Sequence, residues 1–121
     1  MLTLESDDVR TLADIGFIAL LRGLVAQAGT IFNGVVAARP DQEAGHIGHA
    51  LVDLARGDVD GAIKTLRAQP PTDAALTFLA MALARHGEHA EACDILSELI
   101  RTAPVTPFAA MARHILAELR S

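Results

Sequence analysis

The sequence predicts an all-α fold, a right-handed solenoid of three helix–turn–helix repeats closed by a C-terminal capping helix. Three observations predict it. Ala and Leu dominate the chain, which has no Trp, no Tyr and only four Phe. One short motif recurs three times, and a Thr-Pro pair starts one more helix after the last repeat. Ala and Leu favour helices, whereas aromatic side chains are enriched in strands.

Length and charge limit the classes of function. A chain of 121 residues is expected to form one domain, here residues 1–121, and 51% of it is hydrophobic. The net charge of −5, without a cluster of Lys or Arg, argues against nucleic acid as a partner. The longest uncharged stretch, residues 23–38, is too short and too polar to span a membrane. The acidic N-terminal region is unlike a signal peptide, and the single Cys93 suits a reducing compartment, so we expect a cytoplasmic protein.

The recurring motif is a glycine, four residues, an alanine, three residues and a large apolar residue. Glycine permits the positive φ of a tight turn between antiparallel helices, the alanine lets the helices approach closely, and the large residue fills the groove between them. Successive glycines are separated by 34 and then 30 residues. The three copies are Gly23-Ala28-Phe32, Gly57-Ala62-Leu66 and Gly87-Ala92-Leu96.

Seven helices follow from these turns and from the capping residues around them. In chain order they are expected at about residues 7–22, 25–38, 41–56, 58–68, 72–86, 88–102 and 106–120. The expected N-caps are Ser6 or Asp7, Asp41, Asp58, Thr72 and Thr106, the last followed by Pro107 at the first helical position. Pro40 and Pro104 are expected to end the second helices of the first and third repeats. The seventh helix presents a stripe of Phe108, Met111, Ile115 and Leu119 that is expected to cover the last repeat.

On these residues the chain resembles the tetratricopeptide-repeat (TPR) family, whose repeat length is about 34 residues. The resemblance covers roughly residues 9–104, with repeats at about 7–40, 41–71 and 72–104. Leu12, Ile15 and Gly16 match packing positions of the first repeat. The middle repeat departs from the pattern, because His46 and His49 replace apolar residues and Pro70-Pro71 ends its second helix early.

The resemblance implies a concave groove formed by the first helix of each repeat. The residues that would face it are Arg10, Ala13, Phe17 and Leu20, then Ala44, Ile47, Leu51 and Leu54, then Ala74, Thr77, Met81 and Ala84. This mostly apolar set favours an amphipathic partner helix over a carboxylate, which needs charged donors. The residues expected to carry binding are Phe17, Leu20, Ile47, Leu51, Leu54 and Met81. The alternative for each is a place in the interior of the solenoid.

A second interface is predicted on the second helix. Residues 25–38 include no charged side chain and contain Gly29 and Gly34, which lower helix stability. We therefore expect its outer face, with Thr30, Asn33 and Gly34, to be covered by another chain or by a homodimer mate. The alternative is that the first repeat is loosely constrained.

Residues with catalytic or metal-binding chemistry form no complete site. His46 with His49, and His86 with His89, have the i, i+3 spacing of a metal pair, but no third ligand is evident for either. No nucleotide-binding loop or catalytic triad appears. The expectation is a protein without metal, cofactor or enzymatic activity.

A free-standing repeat unit of this size and acidity resembles the small TPR chaperones of bacterial type III secretion, a virulence system. In size it is most similar to the co-chaperone of the secretion needle subunit, whose groove holds an amphipathic helix of that subunit with the help of a second small chaperone. The resemblance implies that the chain prevents premature polymerisation of such a partner. Two alternatives remain: a TPR chaperone of translocator proteins, which is usually longer, and a TPR adaptor or scaffold unrelated to secretion.

Overall fold

The computed structural model describes residues 6–103 and 105–121, and over these residues the chain is helical and contains no strand. The predicted all-helical class is therefore confirmed. The side chain of Ser6 and the whole of Pro104, both given roles in the prediction, lie outside the described residues. The helices are α1 (Ser6–Leu21), α2 (Val25–Ala38), α3 (Glu43–Ala55), α4 (Val59–Arg67), α5 (Asp73–Arg85), α6 (His89–Thr102) and α7 (Pro107–Arg120).

The chain forms two compact units. The first ends at Asp58 and holds α1, α2 and α3; the second begins at Val59 and holds α4 to α7. The middle predicted repeat therefore contributes one helix to each unit. The assignment of residues 1–121 to a single domain stays a prediction.

The three motif glycines adopt the conformation that the sequence predicts. Gly23, Gly57 and Gly87 have φ of 77°, 87° and 89°, which is the left-handed region that side chains disfavour. After each glycine, the next amide donates a hydrogen bond to the carbonyl five positions earlier, at 2.9, 2.8 and 2.9 Å. This is the Schellman arrangement, which satisfies carbonyls left free at a helix end. The motif alanines and large apolar residues that follow are all buried.

Phe32 of α2 is the centre of the first unit's core. Its ring is fully buried and lies against two glycines, one on each neighbouring helix. A Cβ built at Gly16 of α1 would stand 2.7 Å from the ring, and one at Gly48 of α3 only 2.1 Å from it. Phe17 of α1 meets the same ring edge-on, with 4.8 Å between centroids. The glycines thus let three helices close around one aromatic side chain.

In the second unit, α7 packs against α5 and α6, as expected of a helix that covers the last repeat. Its buried face differs from the predicted stripe, because Ala109, Ala112 and Leu116 are buried. Of the predicted residues, Met111 is exposed and Phe108, Ile115 and Leu119 are half-buried. The small alanine side chains let the backbone of α7 approach α5 and α6 closely. The larger side chains of the predicted stripe therefore lie beside this contact rather than within it. One of them, Phe108, meets Phe78 edge-on at 6.4 Å.

The capping predictions hold at two helices and fail at another. Thr72 accepts a hydrogen bond from the Ala75 amide at 3.2 Å, and Thr106 accepts one from the Ala109 amide at 3.0 Å. Asp41, by contrast, is not the N-cap of α3. That position is Gln42, which makes no side-chain capping bond. A turn closed by the Gln42 amide on the Arg39 carbonyl, at 3.2 Å, occupies the residues around Asp41 and delays the start of the helix.

Candidate protein-binding surface

A pocket of about 190 Å³ opens between α1 and α3 in the first unit. Four of the residues predicted to face the groove line it together: Arg10, Ala13 and Phe17 from α1, and Ala44 from α3. The first helices of the first two predicted repeats therefore line one pocket together, while the longer groove across all three repeats stays a prediction. The remaining lining residues are Val9, Asp14 and Gln42.

The pocket combines an apolar lining with one charge of each sign. Val9 and Ala13 are buried, and the half-buried Phe17 extends the apolar part towards the surface. Arg10 and Asp14 are exposed and stand four residues apart on α1, hence on one helix face. Asp14 was not among the residues predicted to face the groove, although its spacing of four residues from Arg10 places both on one helix face. Such a pocket can take up an apolar side chain of a partner whose neighbouring residues are polar.

The six residues expected to carry binding do not share one environment. Phe17, Leu20 and Leu51 in the first unit, and Met81 in the second, are half-buried and keep some surface for a partner. Ile47 and Leu54 are only 3% and 5% exposed, so they are core residues that offer a partner almost no surface. They lie on the sides of α3 that pack inward.

Another predicted groove residue, Thr77 of α5, is also fully buried. Its hydroxyl donates a hydrogen bond to the Asp73 carbonyl at 2.7 Å, so it needs no partner or solvent. The interior alternative therefore describes Thr77, and this residue does not line a groove.

The residues of the predicted second interface are all exposed on α2. Thr30 donates its hydroxyl to the Ala26 carbonyl at 3.2 Å, and a Cβ at Gly34 would meet nothing within 4 Å. Asn33 lies beside them at the surface. This face is uncharged and open, which leaves room for the predicted second chain, and its occupation stays a prediction.

The first unit also carries an exposed apolar ridge that was not predicted. Ile15, Ile18 and Leu24 are about half exposed and Leu21 is 88% exposed. Ile15 was expected to pack in the first repeat. As the first described helix, α1 contacts α2 and α3 within its unit, and Ile15, Ile18 and Leu21 stay exposed beside these contacts. The recurrence of large apolar residues at positions 15, 18 and 21 was the sequence signal that could have predicted this ridge.

Three of the histidines singled out from the sequence lie close to an oxygen atom of a neighbouring residue. His46 Nε2 lies 2.7 Å from the Pro40 carbonyl oxygen, and His49 Nδ1 lies 3.5 Å from a carboxylate oxygen of Asp53. His86 Nε2 lies 2.9 Å from a carboxylate oxygen of Asp60. Within residues 6–103 and 105–121, no three His, Cys, Asp or Glu side chains are grouped as metal ligands would be.

An ion pair joins α4 to α6 in the second unit. Arg67 Nη2 lies 2.8 Å from both carboxylate oxygens of Glu91. The hydrogen bond from Arg67 lowers the pKa of Glu91 below its usual value, and the same bond raises the pKa of Arg67. This pair is distant in sequence, so it links α4 to α6 across the second unit.

Among the described helices, none has the length and apolar character needed to cross a lipid bilayer.

No family model matches the chain, and no curated protein matches it in sequence. Its fold is nevertheless similar to a solved structure, that of SycD, the type III secretion translocator chaperone of Yersinia enterocolitica. The two superpose with a TM-score of 0.76 at 20% sequence identity, over 94% of this chain and 91% of that chain. The class that this likeness and the glycine turns define is a TPR-like helical protein. The predicted TPR-like fold is therefore confirmed.

Proposed function

We propose that the chain is a cytoplasmic chaperone of type III secretion that binds an apolar segment of a secreted partner protein. The observation that carries the proposal is the superposition on a translocator chaperone over nearly the whole of both chains. The apolar surface on α1 and α3, the first helices of the first two predicted repeats, is the second support, because a binding protein of this kind needs side chains that are neither fully buried nor charged. The proposal includes no catalytic activity and no cofactor.

The translocator is the partner class that we favour over the needle subunit. The needle-subunit hypothesis was preferred from sequence because translocator chaperones are usually longer than this chain. The length difference does not exclude a translocator chaperone, since the match extends over 91% of the solved translocator chaperone's chain. Chain length therefore does not separate the two partner classes, and the neighbour's own partner class is the better guide. A scaffold unrelated to secretion has no comparable support.

The physical role follows from mass action. A translocator or needle subunit that exposes an apolar helix associates with itself in water, because removal of apolar surface from water is favourable. A chaperone that covers the same surface lowers the concentration of free partner, and the equilibrium shifts away from assembly. Phe17, Leu20 and Leu51 keep partial exposure in the first unit and would supply the contact. Burial of roughly 300 Å² of apolar surface would be worth about 8 kcal/mol before ordering costs.

Co-expression tests the proposal directly. The chain is produced with a tagged translocator, and separately with a tagged needle subunit, from the same secretion system, and co-purification is measured. We expect the translocator to be soluble only in the presence of the chain. Co-purification of the needle subunit alone would replace the translocator assignment, and recovery of neither would refute the chaperone proposal.

A matched pair of variants locates the contact. Leu51→Asp places a charge at a half-buried position of α3 that is predicted to face the groove, whereas Leu21→Asp places the same charge at an 88% exposed position of α1. We expect Leu51→Asp to abolish co-purification with unchanged helical circular dichroism, and Leu21→Asp to retain it. The reverse pattern would assign binding to the exposed ridge on α1 instead.

A further inference from the structure

A second pocket, of about 430 Å³, lies between α5 and α6 in the second unit. Its apolar lining includes Leu76 from α5, and Ile95 and Leu99 from α6. Leu99 is buried, whereas Leu76 and Ile95 are half-buried. The volume falls within the range of about 300–1,000 Å³ that is usual for ligand pockets, and none of the predicted groove residues lines it.

Carboxylates stand on both walls of this pocket. Asp73 is on α5, and Asp94 and Glu98 are on α6, one turn apart. None of the lining residues that the structure describes is basic. Glu98 pairs with Arg101, whose Nε donates to a Glu98 carboxylate oxygen at 3.1 Å, while Asp73 and Asp94 join no ion pair among the described residues. The pocket is therefore an apolar recess whose rim carries one carboxylate paired with Arg101 and two, those of Asp73 and Asp94, that join no ion pair among the described residues.

We propose that this recess binds an amphipathic helix of a protein partner that presents aliphatic side chains flanked by Lys or Arg. Charge complementarity selects the occupant, because an acidic or neutral helix would leave Asp73 and Asp94 without counter-charges beside a desolvated surface. The stretch of α6 that lines the pocket, from Asp94 to Thr102, rises by about 12 Å, roughly two helical turns. That length accommodates side chains at i and i+4 of a partner helix.

This inference is independent of the proposed secretion role, because it concerns a separate surface on the second unit. The variants at Leu51 and Leu21 change no residue that lines the α5–α6 pocket, and the pocket variants change no residue that lines the α1–α3 pocket. Failure of one proposal therefore does not entail failure of the other.

A labelled helical peptide provides the test on the full chain. The probe is a fluorescein-labelled synthetic helix of about 16 residues, long enough to be helical, with Leu at i and i+4 flanked by Lys. A second peptide has Glu in place of each Lys. Binding is followed by fluorescence anisotropy, and the site is mapped by chemical-shift changes in the ¹⁵N-labelled protein. We expect the Lys peptide to bind, with the largest shifts at Leu76, Ile95 and Leu99.

Charge-matched variants separate the pocket from the overall acidity of the chain. D94N/E98Q removes two charges at the pocket, and E88Q/E118Q removes two exposed charges of the same unit outside it. We expect D94N/E98Q to weaken binding about fivefold, as for two partly exposed ion pairs, and E88Q/E118Q to leave it unchanged. Equal losses in both variants, equal binding of the Glu peptide, shifts confined to the α1–α3 pocket, or no binding would each overturn the proposal. If D94N/E98Q alters the fold, the shift map on the unmodified chain decides.

Discussion

Gly48→Ala is expected to destabilise the protein strongly, although it adds only one methyl group. The new Cβ would lie 2.1, 2.2 and 2.4 Å from three ring carbons of Phe32, against an ordinary carbon–carbon contact of about 3.5–4.0 Å. The ring cannot retreat towards α1, because its tip (Cζ and Cε1) also lies against Gly16. Either α3 moves away from α2 or the ring leaves its site.

The magnitude follows from these two routes. Overpacking of a well-packed core costs about 1–3 kcal/mol, and complete loss of a buried Phe costs about 3–5 kcal/mol. Replacement of a helical glycine by alanine returns about 1 kcal/mol through helix propensity. The net loss in the free energy of unfolding is therefore about 0–2 kcal/mol if α3 moves and about 2–4 kcal/mol if the ring leaves its site. A separation of 2.1 Å is too short for a small adjustment of α3, so we expect the larger loss, which lowers Tm by roughly 10 °C in a protein of this size.

Gly34→Ala is the matched control. It makes the same change within a helix of the same unit, at an exposed position where the added Cβ meets nothing within 4 Å, and is expected to raise stability by about 0.5–1 kcal/mol. Thermal and urea unfolding followed by circular dichroism measure both variants. The reasoning is refuted if Gly48→Ala melts at or above the temperature of the unmodified protein.

Three further predictions concern turns, caps and charge. Gly57→Ala, at a φ of 87°, should lose about 1 kcal/mol or more in urea unfolding, because alanine is disfavoured in the left-handed region; a neutral result would contradict the turn argument. Thr106→Ala removes the cap on the Ala109 amide and should cost about 1 kcal/mol, whereas Thr106→Asp, which retains an acceptor, should cost less. Arg67→Gln should cost no more than about 1 kcal/mol at pH 7, since the Arg67–Glu91 pair is partly exposed. Because Arg67 lowers the pKa of Glu91, the difference between this variant and the unmodified protein should persist above pH 4.5 and vanish as the pH falls through the lowered pKa of Glu91. A difference that grows on acidification would contradict that assignment.

Much of the helical framework was predictable because its signals are local. Gly23 requires a positive φ, and Thr106 followed by Pro107 is a helix start whose chemistry lies within a few residues. Asp41 shows the limit of such signals. Aspartate is a good capping residue, but the turn that the Gln42 amide closes on the Arg39 carbonyl moves the N-cap to Gln42. The capping preference of Asp41 alone does not predict that turn.

The candidate site was less predictable from sequence. The helical period assigns residues to one face of a helix, but it does not determine how closely the neighbouring helix packs against each of them. Ile47 and Leu51 are one turn apart on α3, yet one is buried and the other keeps surface. The α5–α6 pocket was not predicted, since Asp73 and Asp94 are far apart in sequence and meet only through helix packing.

By itself, the sequence determined the all-helical class, the three glycine turns and the small-then-large spacing that lets paired helices pack, because each depends on backbone conformation and side-chain size at neighbouring positions. Only the tertiary structure determined that the Phe32 ring packs between three helices against Gly16 and Gly48. The same holds for the exposure of Ile15 and for the carboxylates of two helices that flank one recess. Those outcomes depend on distances between residues remote along the chain, and a linear pattern does not contain them.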